Sequence, residues 1–408
     1  MSGLYGATLE KASWLRRVVR AHLPDGEFRV EYSGRSLMHE RIFVNGQNVV
    51  QHRISSWFRP VSRFFTGSRP AAIALRVWPW LTIRSFHLLI DGQVLYCDRR
   101  RELFEGPEPE IVRYRSDTPT AALDDRKDPL CPHCDRPLNG VGLDLVGLPA
   151  ELMRPDGPIG RPTAVFTFAR RQRLALIVAG ILATVAGIGL LAALWFSRLL
   201  NETIGLLGFL LLAAGPALVL HARKYRRLHA VAGSAGVVLV ENDAVSSCRW
   251  QEVQTVWETR LVGGESVLQA SARGENHFFR VTCPDGKEMV FRNFLDDLPW
   301  LGQIIERETL PYLLPLAVAA LEKGEVLDFG PLGVDPEGLR STPEKLLSWN
   351  EVKEVTVANG LLKVTQIGKL LAWFKTPLGQ VPNAHVLLAL VRLYQNADRT
   401  VDRMVGED

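Results

Sequence analysis

The chain is poor in cysteine, with five in 408 residues: Cys97, Cys131, Cys134, Cys248 and Cys283. That excludes a disulfide framework, and a chain this long has room for two or three separate hydrophobic cores. No leader is expected either, because MSGLYGATLEKASWLRRVVR contains no apolar run. P-loop, Gly-x-Ser-x-Gly and His-Glu-x-x-His strings are all missing, which removes the commonest signatures of nucleotide hydrolases, esterases and zinc proteases. A nucleic-acid partner is not expected.

Charge is missing from two long stretches. Residues 174–196, LALIVAGILATVAGIGLLAALWF, carry none, and 23 residues of helix span about 34 Å, enough for a hydrocarbon core of about 30 Å. Residues 203–220, TIGLLGFLLLAAGPALVL, are equally bare. Only SRLLNE joins the two, so the expectation is a transmembrane hairpin over residues 170–227. Arg170, Arg171, Arg173, Arg223, Lys224, Arg226 and Arg227 flank it outside, while Arg198 alone lies in the turn. That asymmetry predicts a multi-pass protein of the cell membrane with both termini cytoplasmic. Ala179, Ala183 and Gly187, four apart, are the small residues expected where the helices touch, and Pro216 is tolerable inside a packed span. No acid, His or Lys lies within either span, which favours an anchor over a carrier.

Residues 1–115 read as a β-rich domain. FRVEYSG, ERIFVNGQNVVQHRI, AAIALRVWPWLTI and SFHLLIDGQVLYCD alternate apolar and polar residues. Asn-Gly and Asp-Gly within them are the favoured two-residue hairpin turns. Before these, residues 8–23 place Leu9, Trp14, Leu15, Val18 and Val19 near helical spacing, so an amphipathic helix is expected there, with Arg16, Arg17 and Arg20 on its basic face. The pair ERIFVNGQ and SFHLLIDGQ resembles the β-domain of the Fas apoptosis inhibitory molecule family over residues 27–98. That resemblance implies an all-β interaction domain.

Residues 116–169 are rich in Pro and Gly and read as a linker holding the string LCPHCDRPL. Cys131 and Cys134 have two chemical readings. A thioredoxin-type redox pair needs a following helix to lower a thiol pKa, and Pro137 with Gly140 disfavours one. A zinc-ribbon knuckle uses the same spacing, and structural zinc needs four ligands. With no second Cys-x-x-Cys in the chain, Cys97 and a histidine such as His87 are the available partners, or a second copy of the protein.

The C-terminal part is acidic, with 17 Lys+Arg against 24 Asp+Glu over residues 228–408. It holds a repeat: GVVLVENDAVSSCRWQEVQTVWE at 236–258 and GVDPEGLRSTPEKLLSWNEVKEVTV at 333–357. Both open on Gly-Val and reach Trp-x-Glu-Val-x-x-Val, pairing Trp250 with Trp349 and Glu252 with Glu351. Trp and two valines three apart cannot share one face of a straight strand, so a corner is expected at each copy. A helix should close each copy. Asp297 with Pro299 starts the first, Pro311 breaks it, and a second helix stops at Gly324. Asn383 caps the last, over VPNAHVLLALVRLY.

The Trp-x-Glu-Val corners, PLGVDPEGL and VPNAHVLLAL resemble a family of uncharacterised bacterial membrane proteins whose soluble repeats are similar to pleckstrin-homology-like domains. The resemblance covers residues 236–394 and implies no assigned activity. The expected fold class is therefore a membrane protein with a two-helix transmembrane hairpin, an N-terminal all-β domain and two C-terminal α+β pleckstrin-homology-like modules (228–324 and 325–408).

No catalytic residues are expected. Asp296, Asp297, Glu252, Glu351, His277 and His385 are available as acids or bases, but none has the partner spacing that chemistry demands. The functional expectation is a non-enzymatic scaffold that touches the bilayer and an unknown protein partner at the inner membrane face, with homo-oligomers allowed for. Lipid-headgroup binding and a membrane-bound enzyme are the alternatives. No cofactor is expected beyond a structural zinc at Cys131 and Cys134.

Overall fold

The computed structural model describes residues 5–36, 39–53, 61–77, 82–98, 112–114, 130–131, 134, 138, 157–168, 170–197, 202–224, 228–241, 244–259, 277–284, 286–292, 295–342, 345–358 and 360–405. It divides into two compact units, Met1–Gly147 and Leu148–Asp408.

The first unit is all antiparallel β. Strands β1 (Tyr5–Ser13), β2 (Arg16–Leu23), β3 (Gly26–Ser36), β4 (His39–Val44) and β5 (Gln47–Arg53) form one sheet. Strands β6 (Val61–Thr66), β7 (Arg69–Val77), β8 (Ile83–Ile90) and β9 (Gln93–Cys97) form the other, and β10 (Val112–Tyr114) pairs with β1. One core joins the two sheets, with Val19, Val30, Tyr32 and Ile42 from the first meeting Phe64, Ile73, Phe86 and Leu88 from the second. The β4–β5 and β8–β9 turns are those expected: Asn45-Gly46 and Asp91-Gly92 all have positive φ.

The helix expected over residues 8–23 is instead the β1–β2 hairpin. Val18 and Val19 are stiff at χ1 and suit a strand, and Val19, Ala21 and Leu23 alternate into the core. The arginines of the supposed basic face are paired: Arg16 with Glu31, Arg17 with Asp98, Arg20 with Glu10. Of these the Arg17–Asp98 pair is buried, at 2.8 Å.

The second unit begins with β11 (Pro162–Thr167), inside the region expected to be linker. Helices α1 (Arg170–Ser197) and α2 (Glu202–Lys224) follow, and β12 (His229–Gly233) then returns to pair with β11, Thr167 opposite His229. The hairpin is thus spliced between two neighbouring strands of one sheet. Its candidate spans, Leu176–Ala193 and Gly205–Arg223, have only 11% and 17% of their residues buried. Leu174, Val178, Ile181, Val185, Leu206, Phe209 and Leu210 are exposed, which suits lipid rather than water.

Glycines, not the expected alanines, set the helix contact. Gly180 and Gly187 on α1 meet Gly215 and Gly208 on α2, and a Cβ on Gly180 would lie 2.7 Å from the Gly215 carbonyl. Ala179 faces outward and Gly187 alone of the expected trio is buried. The seven-residue spacing is that of helices crossing at a shallow angle. α2 runs unbroken through Pro216.

β13 (Gly236–Glu241) and β14 (Ala244–Arg249) complete a four-stranded sheet with β11 and β12. A 3-10 turn at Trp250–Glu252 then re-aims the chain into a three-stranded sheet of β15 (Thr255–Glu258), β16 (His277–Thr282) and β17 (Glu288–Arg292), closed by α3 (Leu298–Glu322). The same order recurs. β18 (Leu327–Asp328), β19 (Gly333–Asp335), β20 (Gly338–Thr342) and β21 (Lys345–Ser348) lead to a 3-10 turn at Trp349–Glu351. Then come β22 (Val352–Ala358), β23 (Leu361–Gln366), β24 (Ala372–Pro377) and the closing helix α4 (Ala384–Val405).

The expected corners are therefore the two 3-10 turns. Each Trp latches the hairpin before it. The Trp250 indole donates to the Gly233 carbonyl at 3.0 Å, and the Trp349 indole to the Pro336 carbonyl at 3.1 Å. The Gly-Val openings are not equivalent, however. Gly236 faces Arg249 and Gly338 faces Ser348, so Gly338, not Gly333, is the counterpart of Gly236. A Cβ at either would strike the carbonyl of the residue before its partner, Cys248 or Leu347.

Pro311 does not break α3, which is one 25-residue helix through Pro311 and Pro315. Its first half buries Leu298, Trp300, Leu301, Ile304 and Ile305. Its second half lays Leu310, Leu313, Leu314, Ala317 and Val318 against the second core. That burial offsets much of the cost of the two interior prolines and keeps the segment in one helix. Pro299 sits in the first turn as expected, and Gly324 ends the helix at positive φ. Asp297 holds the N-cap position with φ 54° but makes no side-chain cap bond.

Candidate metal centre

The outer face of the β6–β9 sheet carries a second, smaller apolar cluster: Val61, Ala74, Leu89, Val94, Cys131 and Leu138. This explains why β8 is buried on both faces, with seven of its eight residues shielded. His87 alternates with Phe86 and Leu88 and so faces outward, where it is 3% exposed.

Cys97 reaches the same face through a β-bulge. The β8–β9 register pairs His87 with Cys97 and Leu88 with Tyr96, then shifts so that Leu89 faces Val94. Leu95 and Tyr96 both enter the main core in succession, whereas Val94 and Cys97 both lie with the outer cluster. Strict alternation from Val94 would have turned Cys97 inward; the extra residue re-aims it toward His87.

The Cys-x-x-Cys segment supplies the rest. Cys131 is fully buried and Cys134 partly so. One ligand atom from each of His87, Cys97, Cys131 and Cys134 lies within 4.8 Å of every other, and His87 Nε2 is 3.3 Å from the Cys134 sulfur. A tetrahedral ion with metal–sulfur bonds of about 2.3 Å and a metal–nitrogen bond of about 2.0 Å needs edges of about 3.8 and 3.5 Å. The four groups are grouped as such a set would be.

Without an ion the thiols keep their protons. A hydrogen bond with Cys131, burial and the neighbouring Cys134 push the Cys97 thiol far above the ordinary thiol range. A bound cation inverts that logic and deprotonates a coordinating thiol outright. Cys248 and Cys283 belong to the second unit and are buried there.

The other acids and histidines weighed from sequence are scattered. Glu252 accepts the Arg249 backbone N–H at 3.3 Å and so caps its own turn. Glu351 accepts from the Gln366 side chain at 3.3 Å. His385 lies against the Thr309 hydroxyl at 3.1 Å between α3 and α4, and burial lowers its pKa to about 4. Asp296 is positioned by its backbone N–H, which donates to Thr167 O at 2.8 Å. The side chain of His277 lies outside the described residues.

Asn383 starts α4, as expected, but its side chain serves the first module. Oδ1 accepts the Val256 N–H at 2.8 Å, Nδ2 donates to the Gln254 carbonyl at 3.2 Å, and its own N–H donates to Val256 O at 2.8 Å.

Fold and site define a β-rich protein with two helices long and apolar enough to cross a membrane. The chain belongs to a family of unknown function, DUF6585, which matches residues 159–400. The match begins just before β11, so it takes in the hairpin and both seven-stranded modules and leaves out the His/Cys cluster. No curated protein and no solved structure matches the chain.

Proposed function

We propose that the protein is a non-enzymatic scaffold, anchored by its helical hairpin, that presents β-rich modules to a protein partner at the inner membrane face. The two modules are pleckstrin-homology-like in this reading: four strands, a corner, three strands and a closing helix, twice in succession. The first unit adds an all-β interaction domain.

The observation that carries the reading is the splice between β11 and β12. It brings both ends of the hairpin to one end of two neighbouring sheet strands, and seven flanking cations against one in the turn support a cytoplasmic side for that end. Glu252 caps its turn, Glu351 bonds Gln366 and His385 seals a helix contact, which supports a binding role over chemistry.

A second reading, lipid binding, draws on the β23–β24 turn. Leu370 and Leu371 are 104% and 83% exposed there, with Ile367 and Lys369 beside them. Apolar tips next to a cation suit a bilayer interface, although the module as a whole is acidic.

Photo-crosslinking of the full-length protein in native membranes tests both, using a variant with Leu370→Ser and Leu371→Ser. A protein partner captured by the wild type and the variant alike is the expected result. Adducts to lipid alone would transfer the turn to the lipid reading, and adducts only to the chain itself would replace the scaffold by self-assembly.

A further inference from the structure

We propose that His87, Cys97, Cys131 and Cys134 are the four ligands of one structural zinc ion, which fixes residues 131–138 to the outer face of the β6–β9 sheet. This inference is independent of the scaffold reading and concerns the first unit alone.

Ligand type selects the metal. Three sulfurs and one imidazole are a soft, closed set that suits zinc, while oxygen-seeking magnesium or calcium would find no oxygen ligand among the four. Ligand number selects the role. With all four positions filled by protein side chains, no position stays open for water or substrate, so the ion holds structure and performs no Lewis-acid chemistry.

The packing gives an ion a part to play. Among the described residues the outer cluster has six buried members, and Cys131 and Leu138 are those from the knuckle segment. Four coordinate bonds would add to that contact, because metal binding to such a set is folding free energy. The bulge at Leu95 and Tyr96 agrees with this, since it brings Cys97 opposite His87.

A disulfide would use the site worse. It joins two sulfurs and leaves the third thiol and the imidazole buried without a role, whereas all four atoms already lie within 4.8 Å of one another. On zinc binding the three thiols release three protons to solvent and the imidazole ligates neutral through one nitrogen.

The test uses full-length protein purified in detergent, with zinc and other metals measured by mass spectrometry. About one zinc per chain is expected. His87→Ala, Cys97→Ser, Cys131→Ser and Cys134→Ser should each lose most of it, while Cys248→Ser and Cys283→Ser keep it. Since a knuckle variant could fail to fold, wild-type protein is also exchanged with cobalt(II). Intense ligand-field bands with sulfur-to-cobalt charge transfer are expected for a tetrahedral thiolate site. Zinc far below one per chain in wild type, full zinc retained in Cys97→Ser and His87→Ala, or weak six-coordinate cobalt bands would each overturn the assignment.

Discussion

Asn383 and Val256 lie 127 residues apart in sequence, yet the Asn383 carboxamide accepts the Val256 backbone N–H at 2.8 Å. The residue that opens the last helix thus extends the edge of the first module's small sheet, where Trp257 also bridges Pro382. The two modules are tied at this point as well as through α3.

Replacing Asn383 by Ala removes two side-chain bonds and leaves the Val256 N–H without its partner. A loss of about 1–3 kcal/mol is expected, the usual penalty for an orphaned buried donor. Hydrogen–deuterium exchange reads it directly: amides of β15 should exchange faster in Asn383→Ala. Unchanged exchange there would show that the contact carries no coupling.

His385 predicts an acid sensitivity. Burial holds the folded pKa at about 4, against about 6.5 in an unfolded chain. The Thr309 hydroxyl has one proton, and its 2.7 Å contact with the Ile305 carbonyl takes it, so the imidazole Nε2 donates to the hydroxyl oxygen. Between these two pKa values only the unfolded chain binds the proton. Stability should therefore be level above pH 6.5 and fall as pH drops toward 4, by up to about 1.4 kcal/mol per unit. Thermal melts of His385→Gln should show a shallower loss over that window. Parallel curves for the two proteins would remove His385 as the cause.

The two apolar helices offer a matched pair of substitutions. A side chain at Gly215 would run into Thr184 and the Gly180 carbonyl, whereas one at Gly189 meets nothing within 4 Å. Gly215→Leu should separate α1 from α2 and lower the melting temperature in detergent by several degrees, and Gly189→Leu should leave it unchanged. Equal effects would mean that the glycine seam does not hold the hairpin.

The two corner tryptophans should fail alike. Trp250→Phe and Trp349→Phe each delete one indole bond to the preceding turn, for about 0.5–1.5 kcal/mol. Trp349 adds a stacked contact with Tyr394, with centroids 4.9 Å apart, that a phenyl ring can keep. Differential scanning calorimetry should show both variants destabilised. A wild-type profile for Trp250→Phe would reduce the latch to simple packing.

Much of this was legible in the residues. Uncharged runs announced the hairpin, Asn45-Gly46 and Asp91-Gly92 announced their turns, and the paired Trp-x-Glu strings announced two corners. The β1–β2 hairpin was not, because Leu9, Trp14, Leu15, Val18 and Val19 satisfy a helical spacing while partners far along the chain satisfy the strand. Strand β11 hid in a proline-rich stretch because its partner lies beyond two long apolar helices. At the site, the Cys-x-x-Cys spacing points to half of a ligand set, and His87 and Cys97 are the residues the sequence offers to complete it. What no periodicity could reveal was the bulge, which decides the face Cys97 takes. A near-continuous apolar run in β8 was the available clue that something covers that side of the sheet.

The splice of the hairpin into the sheet has a mechanical meaning. Thr167 and Arg170 are separated by two residues, Lys224 and His229 by four, and Phe168 is itself bridged to Leu295. Connections of that length give little room for a swivel between the helical hairpin and the first module. If a bilayer holds the hairpin, as proposed, a tilt of its helices would reach the β11–β12 ladder as torque rather than dissipating in a slack tether. The membrane would then set the angle at which the first module stands, and α3 and the Asn383 contact would pass that angle on to the second.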